Sequence, residues 1–180
     1  ARPNDALAHL WLGRLLLATR QSLEAEQELN RAMQLAPQDV RVWNGMFSLH
    51  LRNRNTNKAR ETLNDIEQRV DLSAADRNFV IAQGYELLGD FERAAREYEA
   101  AAQGTPDRAL IHVRLAGVYL RTDPLKAAKS LRKAIEIDPK LTLARRMLAA
   151  LLVAQGTDAE FKEAEQLLSG DAASSESIAV

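Results

Sequence analysis

Apolar residues recur along this chain with helical spacing, in pairs of stretches separated by short polar turns. LEAEQELNRAMQLAP (23–37), FERAAREYEAAAQGTP (91–106) and LKAAKSLRKAIEIDP (125–139) share one frame. A small alanine is followed four residues on by a large apolar residue, three further by another small one, and then by a proline. A fourth copy keeps Ala59, Leu63 and Ile66 and places Asp71 where the proline would stand. The leading alanines Ala25, Ala59, Ala94, Ala127 and Ala164 are 34, 35, 33 and 37 residues apart, the length of one helical hairpin.

Upstream of each alanine lies a second apolar pair: Leu12 with Leu16, Met46 with His50, Ile81 with Tyr85, Leu115 with Tyr119, and Leu148 with Leu152. Their i, i+4 spacing puts each pair on one helical face. Turn signals sit between the two stretches, as in Arg54-Asn55-Thr56-Asn57, Gly89-Asp90, Thr122-Asp123-Pro124 and Gly156-Thr157-Asp158. The pattern predicts an all-α chain of helix–turn–helix units, with first helices over 6–20, 40–54, 75–88, 109–122 and 142–155.

Composition supports this. Apolar residues make up 46% and aromatics only 5%, so a core must be built mainly from leucine and alanine, both strong helix formers. Lysine and arginine total 24 against 25 acidic residues, which gives no global pull towards nucleic acid. The absence of cysteine excludes disulfides, thiolate metal sites and thiol nucleophiles. It leaves the compartment open. The longest apolar stretch, Leu10 to Ala18, is interrupted by Arg14 and falls far short of the ~20 residues that span a bilayer. No basic and apolar leader opens the sequence, so a signal peptide is expected to be absent or already removed.

In register, these columns resemble the tetratricopeptide repeat (TPR) family. The first repeat carries Leu12-Gly13, Leu16, Ala25, Leu29, Ala32 and Pro37, and the second has Trp43 at the tryptophan position with Met46, Ala59, Leu63 and Ile66. The third is the clearest, with Tyr85, Gly89-Asp90-Phe91, Ala94, Tyr98, Ala101 and Pro106. The fourth keeps Leu115, Ala116, Tyr119, Ala127, Leu131, Ala134 and Pro139 but loses one residue in its inner turn. The fifth has Leu148, Ala149, Leu152, Gly156, Ala164 and Leu168 with an insertion after Gly156. The repeats are placed at about 6–39, 40–74, 75–108, 109–141 and 142–169, an array over 1–169, with 170–180 as a disordered tail or linker. The resemblance implies an α-solenoid, a right-handed superhelix of antiparallel hairpins whose first helices form a concave groove for a partner polypeptide.

The predicted first helices carry ten arginines against Asp76 and Glu86, a sum of +8 that leaves −9 for the rest of the chain. Arginine suits bidentate binding of carboxylates, so an acidic peptide partner is expected. Some of these arginines, such as Arg20, Arg54 and Arg121, instead fit helix ends, where they complement the dipole. By family position the groove residues are Leu10, Arg14, Leu17, Arg41, Asn44, Ser48, Arg52, Phe79, Gln83, Glu86, Arg114, Gly117, Arg121 and Arg146. Leu10 and Phe79 stand where the carboxylate-clamp set of some relatives would want polar groups, so that clamp is not expected.

Catalysis finds no residues. His9, His50 and His112 lack ligand partners at i+3 or i+4 and fall on the tryptophan and tyrosine columns, which reads as packing. Glu24, Glu26 and Glu28, and Glu92, Glu97 and Glu99, are interleaved with arginine and read as solvated faces. No phosphate-loop, nucleophile-elbow or zinc spacing occurs. The expectation is a non-enzymatic scaffold with neither cofactor nor metal. An assembly element, or the substrate-recruiting part of a longer enzyme, is the alternative.

The first helix is apolar nearly all round, through Leu7, Leu10, Trp11, Leu15, Leu16 and Leu17. A terminal repeat normally shows a polar outer face. Either Trp11 and Leu15 mark an end contact, within a longer array or between chains, or Leu10 and Leu17 line the groove while Trp11 packs inside.

Overall fold

The computed structural model describes residues 4–176. Among the described residues there are ten α-helices and no strand. They are α1 (Ala6–Ala18), α2 (Ser22–Leu35), α3 (Val40–Arg52), α4 (Thr56–Arg69), α5 (Ala74–Leu87), α6 (Phe91–Gly104), α7 (Ala109–Tyr119), α8 (Pro124–Ile137), α9 (Thr142–Gln155) and α10 (Asp158–Glu176). The chain divides into two compact units, Ala1–Gly89 and Asp90–Val180. The first holds α1–α5 and the second α6–α10.

The starts of the helices are written into the turns. Asp5, Asp39, Asn55, Ser73, Asp90 and Asp123 each accept a backbone N–H of the helix that follows, which satisfies donors the helix cannot. Ahead of α10, Thr157 and Glu160 form a reciprocal capping box, with Glu160 accepting from the Thr157 N–H at 3.0 Å and Thr157 Oγ1 from the Glu160 N–H at 3.3 Å. Several inner turns close through a left-handed residue. Gly89 and Gly156 fill that position with φ of 75° and 83°, and Arg20 and Arg54 fill it with φ of 65° and 56°. For a residue with a Cβ this conformation costs roughly 1–2 kcal/mol. Helix α10 continues through Glu176, beyond residue 169 where the sequence pattern ends the array. The alanines and the lack of proline there let the ladder run on. Residues 177–180 of the expected tail lie outside the described residues.

The repeating columns are the core. Ala25, Ala59, Ala94 and Ala127 are fully buried, as are Leu29, Tyr98 and Leu131 four residues on and Ala32, Ile66, Ala101 and Ala134 three further. The exception is Leu168, on the leucine column of the last repeat, which is 44% exposed. In the first unit, Leu10, Leu17, Ala25, Leu29, Ala32, Val42 and Leu49 form one cluster, and Trp43, Phe47, Ala59, Leu63, Ile66, Val70 and Ile81 another.

Helices approach closely where one of them carries no side chain. A Cβ on Gly13 would lie 2.8 Å from Leu29 Cγ, and one on Gly45 would lie 2.8 Å from Leu29 Cδ2 and 3.0 Å from Leu10 Cδ1. On α5, a Cβ on Gly84 would meet the buried Leu63 at 2.3 Å (Cδ2), 2.8 Å (Cδ1) and 3.1 Å (Cγ). Gly117 on α7 has open space around the same position. Gly84→Ala should therefore lower stability in urea denaturation by about 1–3 kcal/mol, the usual penalty of overpacking. Gly117→Ala should raise it by up to about 1 kcal/mol through helix propensity. Equal effects at the two positions would remove the close-approach account.

Candidate functional site

In the first unit, α1 packs on both α2 and α3, so the first helices of consecutive hairpins are neighbours. Two arginines tie them together. Arg14 on α1 donates to the backbone carbonyl of Arg41 in the first turn of α3, at 3.3 Å, and Arg52 at the end of α3 reaches the carbonyl of Ala18 at the end of α1, at 3.5 Å. The second bond serves a carbonyl that has no partner in its own helix. The Arg14 guanidinium also lies 5.6 Å from the Trp11 ring centroid, in cation–π range. Arg41 is exposed but already engaged, since its Nε and Nη2 donate to the Asp39 carboxylate at 2.9–3.1 Å and 2.6 Å. The Arg41 hydrogen bond holds the Asp39 carboxyl below the usual carboxylate range, against the opposing effect of burial.

Burial corrects part of the expected groove. Leu10 and Leu17 belong to the core cluster, and Phe79 is 8% exposed, so none of the three presents a side chain to a ligand. Family position places them on the face of the first helix, but in a helix that is apolar nearly all round the face carrying leucine turns inward. Asn44, Gln83 and Glu86 are half-buried, and the Ser48 hydroxyl is spent on the Asn44 backbone carbonyl at 2.7 Å. Trp11 and Leu15 are 65% and 60% exposed. Trp11 therefore does not pack inside.

In the second unit, Arg114, Arg121 and Arg146 are exposed. Arg121, just past the end of α7, lies 4.9 Å from the Phe91 ring centroid at the start of α6. Gly117, on α7, is half-buried.

The histidines are embedded in packing. Trp43 Nε1 donates to the carbonyl of Pro37, the proline that closes the preceding hairpin, at 2.8 Å. His112, on the same column, makes the equivalent bond to the carbonyl of Pro106. The column thus selects for a ring N–H aimed at the preceding proline, which either indole or imidazole can supply. His9 pairs through Nδ1 with Glu28 Oε2 at 2.6 Å, joining α1 to α2. Among the described residues no three histidine or carboxylate side chains gather as a metal site, and no helix is long and apolar enough to cross a membrane. A count of first-helix charges passes over one more feature. Lys126, Lys129 and Lys133 stand at i, i+3 and i+7 along α8, a row on one face of a second helix.

No protein-family model and no curated protein matches the chain. Solved structures do. Yeast Tom70 superposes with a TM-score of 0.75 at 18% identity, over 93% of this chain and 36% of that one. TTC0263, described as a thermophilic TPR protein in Thermus thermophilus, gives 0.62 at 23% identity over 92% and 89%. YrrB, described as a TPR protein with an unusual peptide-binding site, gives 0.59 at 11% identity over 93% and 87%. The fold is the all-α tetratricopeptide-repeat array that the columns imply.

Two half-buried imidazoles give the fold a pH dependence. Burial, reinforced by Lys58, holds His50 below its ordinary value, and burial, reinforced by Lys133, does the same at His112. Lowered folded values mean that the unfolded chain binds protons first as the pH falls through about 6.5. The melting temperature should therefore decline between about pH 7.5 and pH 5.5. In a His50→Tyr/His112→Trp variant, which restores both column residues, that decline should flatten. An unchanged slope would show that these imidazoles do not set it.

Proposed function

We propose that the chain, an array with the tetratricopeptide-repeat fold, is a protein-binding scaffold that takes an acidic polypeptide segment on the α1–α3 face of its first unit. The observation that carries this reading is the pair of arginines, Arg14 and Arg52, anchored to backbone carbonyls of the adjacent helix. Anchoring restricts their rotamers before a ligand arrives, which lowers the entropy lost on binding. Exposed Arg41 lies on the same face, and Arg114, Arg121 and Arg146 give the second unit the same chemistry. YrrB, with its described peptide-binding site, supports the reading from the side of the fold. Tom70 holds such an array within a longer chain. In that setting the face would recruit substrate for a larger protein or enzyme.

The exposed stripe on α1 favours a second reading, self-association through an array end. Trp11 and Leu15 stand in register with Gly45 and Leu49 of α3. Gly45 and Leu49 are buried, Leu49 completely. On α1 the corresponding face, with Leu7, is open, and an apolar stripe of this kind is typical of a contact surface.

Fluorescence anisotropy with a library of acidic peptides separates the two. Arg14→Glu/Arg52→Glu should weaken binding at least about tenfold, the equivalent of 1.4 kcal/mol, whereas Leu7→Ser/Leu15→Ser, which leaves the Trp11–Arg14 pair in place, should leave it intact. Unchanged affinity in the arginine variant would remove the first reading. For the second, sedimentation should show the mass of the wild type rising with concentration and that of the Trp11→Glu/Leu15→Glu variant staying monomeric. A wild type that is monomeric throughout ends it.

A further inference from the structure

Each second helix packs on the first helix that follows it within its unit, α2 on α3, α4 on α5, α6 on α7 and α8 on α9. The leucine column supplies one side of these junctions. Leu29, Leu63, Tyr98 and Leu131 hold it and are 0–2% exposed. The other side is a column of the following first helix, where Leu49, Gly84, Val118 and Leu151 take corresponding places. Leu49 shares a core cluster with Leu29, and a Cβ on Gly84 would meet Leu63 at 2.3 Å. Leu49, Gly84 and Val118 are buried and Leu151 is half-buried.

Two members of these columns stand open, one from each side of the junction. Leu168, in the leucine column of α10, is 44% exposed, and Leu15, the member of the facing column on α1, is 60% exposed. Among the described residues no first helix follows α10 and no second helix precedes α1. Neighbouring columns repeat the match. Trp11 stands one turn before Leu15, where α3 sets Gly45 against Leu29 and α5 sets Val80 against the cluster that holds Leu63. Phe161, also exposed, stands in the column of Phe91, whose ring meets Arg121 just past the end of α7, 4.9 Å from its centroid. One chain thus carries, uncovered, both halves of the interface that its own repeats use to stack on one another.

Charge selects among the ways two copies could cover these faces. Glu165 lies four residues after Phe161 and three before Leu168, so it shares their side of α10, and it is exposed. Helix α1 has no carboxylate, and its Arg14 lies 5.6 Å from the Trp11 ring centroid. Pairing α1 with α1 would bring two Arg14 guanidiniums together and leave Leu168 open. Pairing α10 with α10 would oppose two Glu165 carboxylates and leave Trp11 and Leu15 open. Pairing α10 with α1 sets opposite charges on each other and covers both faces.

We propose that a second copy of this chain docks its α1 on the open face of α10, head to tail. Leu168 of one copy packs against Leu15 and Trp11 of the next, Phe161 lies towards the C-terminal end of that α1, and Glu165 faces Arg14. The proposal rests on the self-association reading above and names the surface that meets α1. Such a contact is heterologous: each copy offers two different surfaces, so copies can add one after another.

The test is sedimentation of the full chain as wild type, as a head variant, Trp11→Glu/Leu15→Glu, and as a tail variant, Leu168→Glu. Leu168→Ser is a milder form of the last. Circular dichroism confirms folding of each. The wild type should associate with rising concentration, and the head and tail variants should each stay monomeric alone. Mixed, they should form a complex with one copy of each, because the head variant keeps its α10 face and the tail variant keeps its α1 face. That complex would also show that neither substitution has unfolded the surface it leaves intact. Leu168→Ser should associate at least about tenfold more weakly than the wild type.

If the wild type associates and the tail variant does so equally well, or if the mixed variants form no complex, the head-to-tail contact is overturned while self-association stands. A wild type that is monomeric throughout removes both.

Discussion

The fold depends on how closely two helices can approach, and that distance is set by small residues facing large ones. Ala25, Ala59, Ala94 and Ala127 are buried to the last atom because each lies where another helix presses against its own. Gly13 and Gly45 both press on Leu29, so a single leucine fills the space left by two missing side chains. Dispersion and apolar burial fall off steeply with a gap of even half an ångström, which explains why the pattern tolerates wide variation elsewhere and little in these columns. Each hairpin then needs its neighbours, because no single pair of helices buries both of its faces.

Much of this was legible in the residues themselves. Helix boundaries follow from caps such as Asp39, Asn55 and Asp123 and from the prolines that close the hairpins. The column assignments translate directly into burial, down to the imidazole of His112 taking over the hydrogen bond that Trp43 makes. The face of α1 was not legible. With leucine at positions 7, 10, 15, 16 and 17, periodicity does not say which of them points inward, and only packing separates buried Leu10 and Leu17 from exposed Leu15. Phe79 went inward for the same reason, since a large ring in a first helix fills the core more readily than it lines an aqueous groove. Nor does sequence show that the Arg41 guanidinium has a carboxylate two residues back as its partner.

Charge is distributed on two levels. The first helices concentrate arginine, and the fold holds part of it in place, as Arg14 and Arg52 show by each spending one guanidinium N–H on a backbone carbonyl across a helix pair. The second helices vary in a different way. Their inward columns hold constant, while around the recess among α2, α3 and α4 and its counterpart among α6, α7 and α8 the rim columns change sign between α4 and α8. A repeat protein can therefore alter the chemistry of one recess without touching the packing beneath it, because the walls come from two helices, with Met33 on α2 and Trp43 and Met46 on α3, and the charged rim from a third, α4. A comparison of rim columns between hairpins, rather than a charge sum over each helix, is the reading of the sequence that exposes this.

The two tryptophans of the chain stand at opposite extremes of environment. Trp43 is sequestered with its indole N–H bonded to Pro37, and Trp11 lies open beside Arg14. Both belong to the first unit, and residues 90–180 contain none. The molecule thus carries its own optical labels. Intrinsic emission should divide into a blue component from Trp43, lost when the hairpins of that unit melt, and a red component from Trp11, which shifts when anything settles over α1. The second unit is silent at these wavelengths and leaves the spectrum to the first.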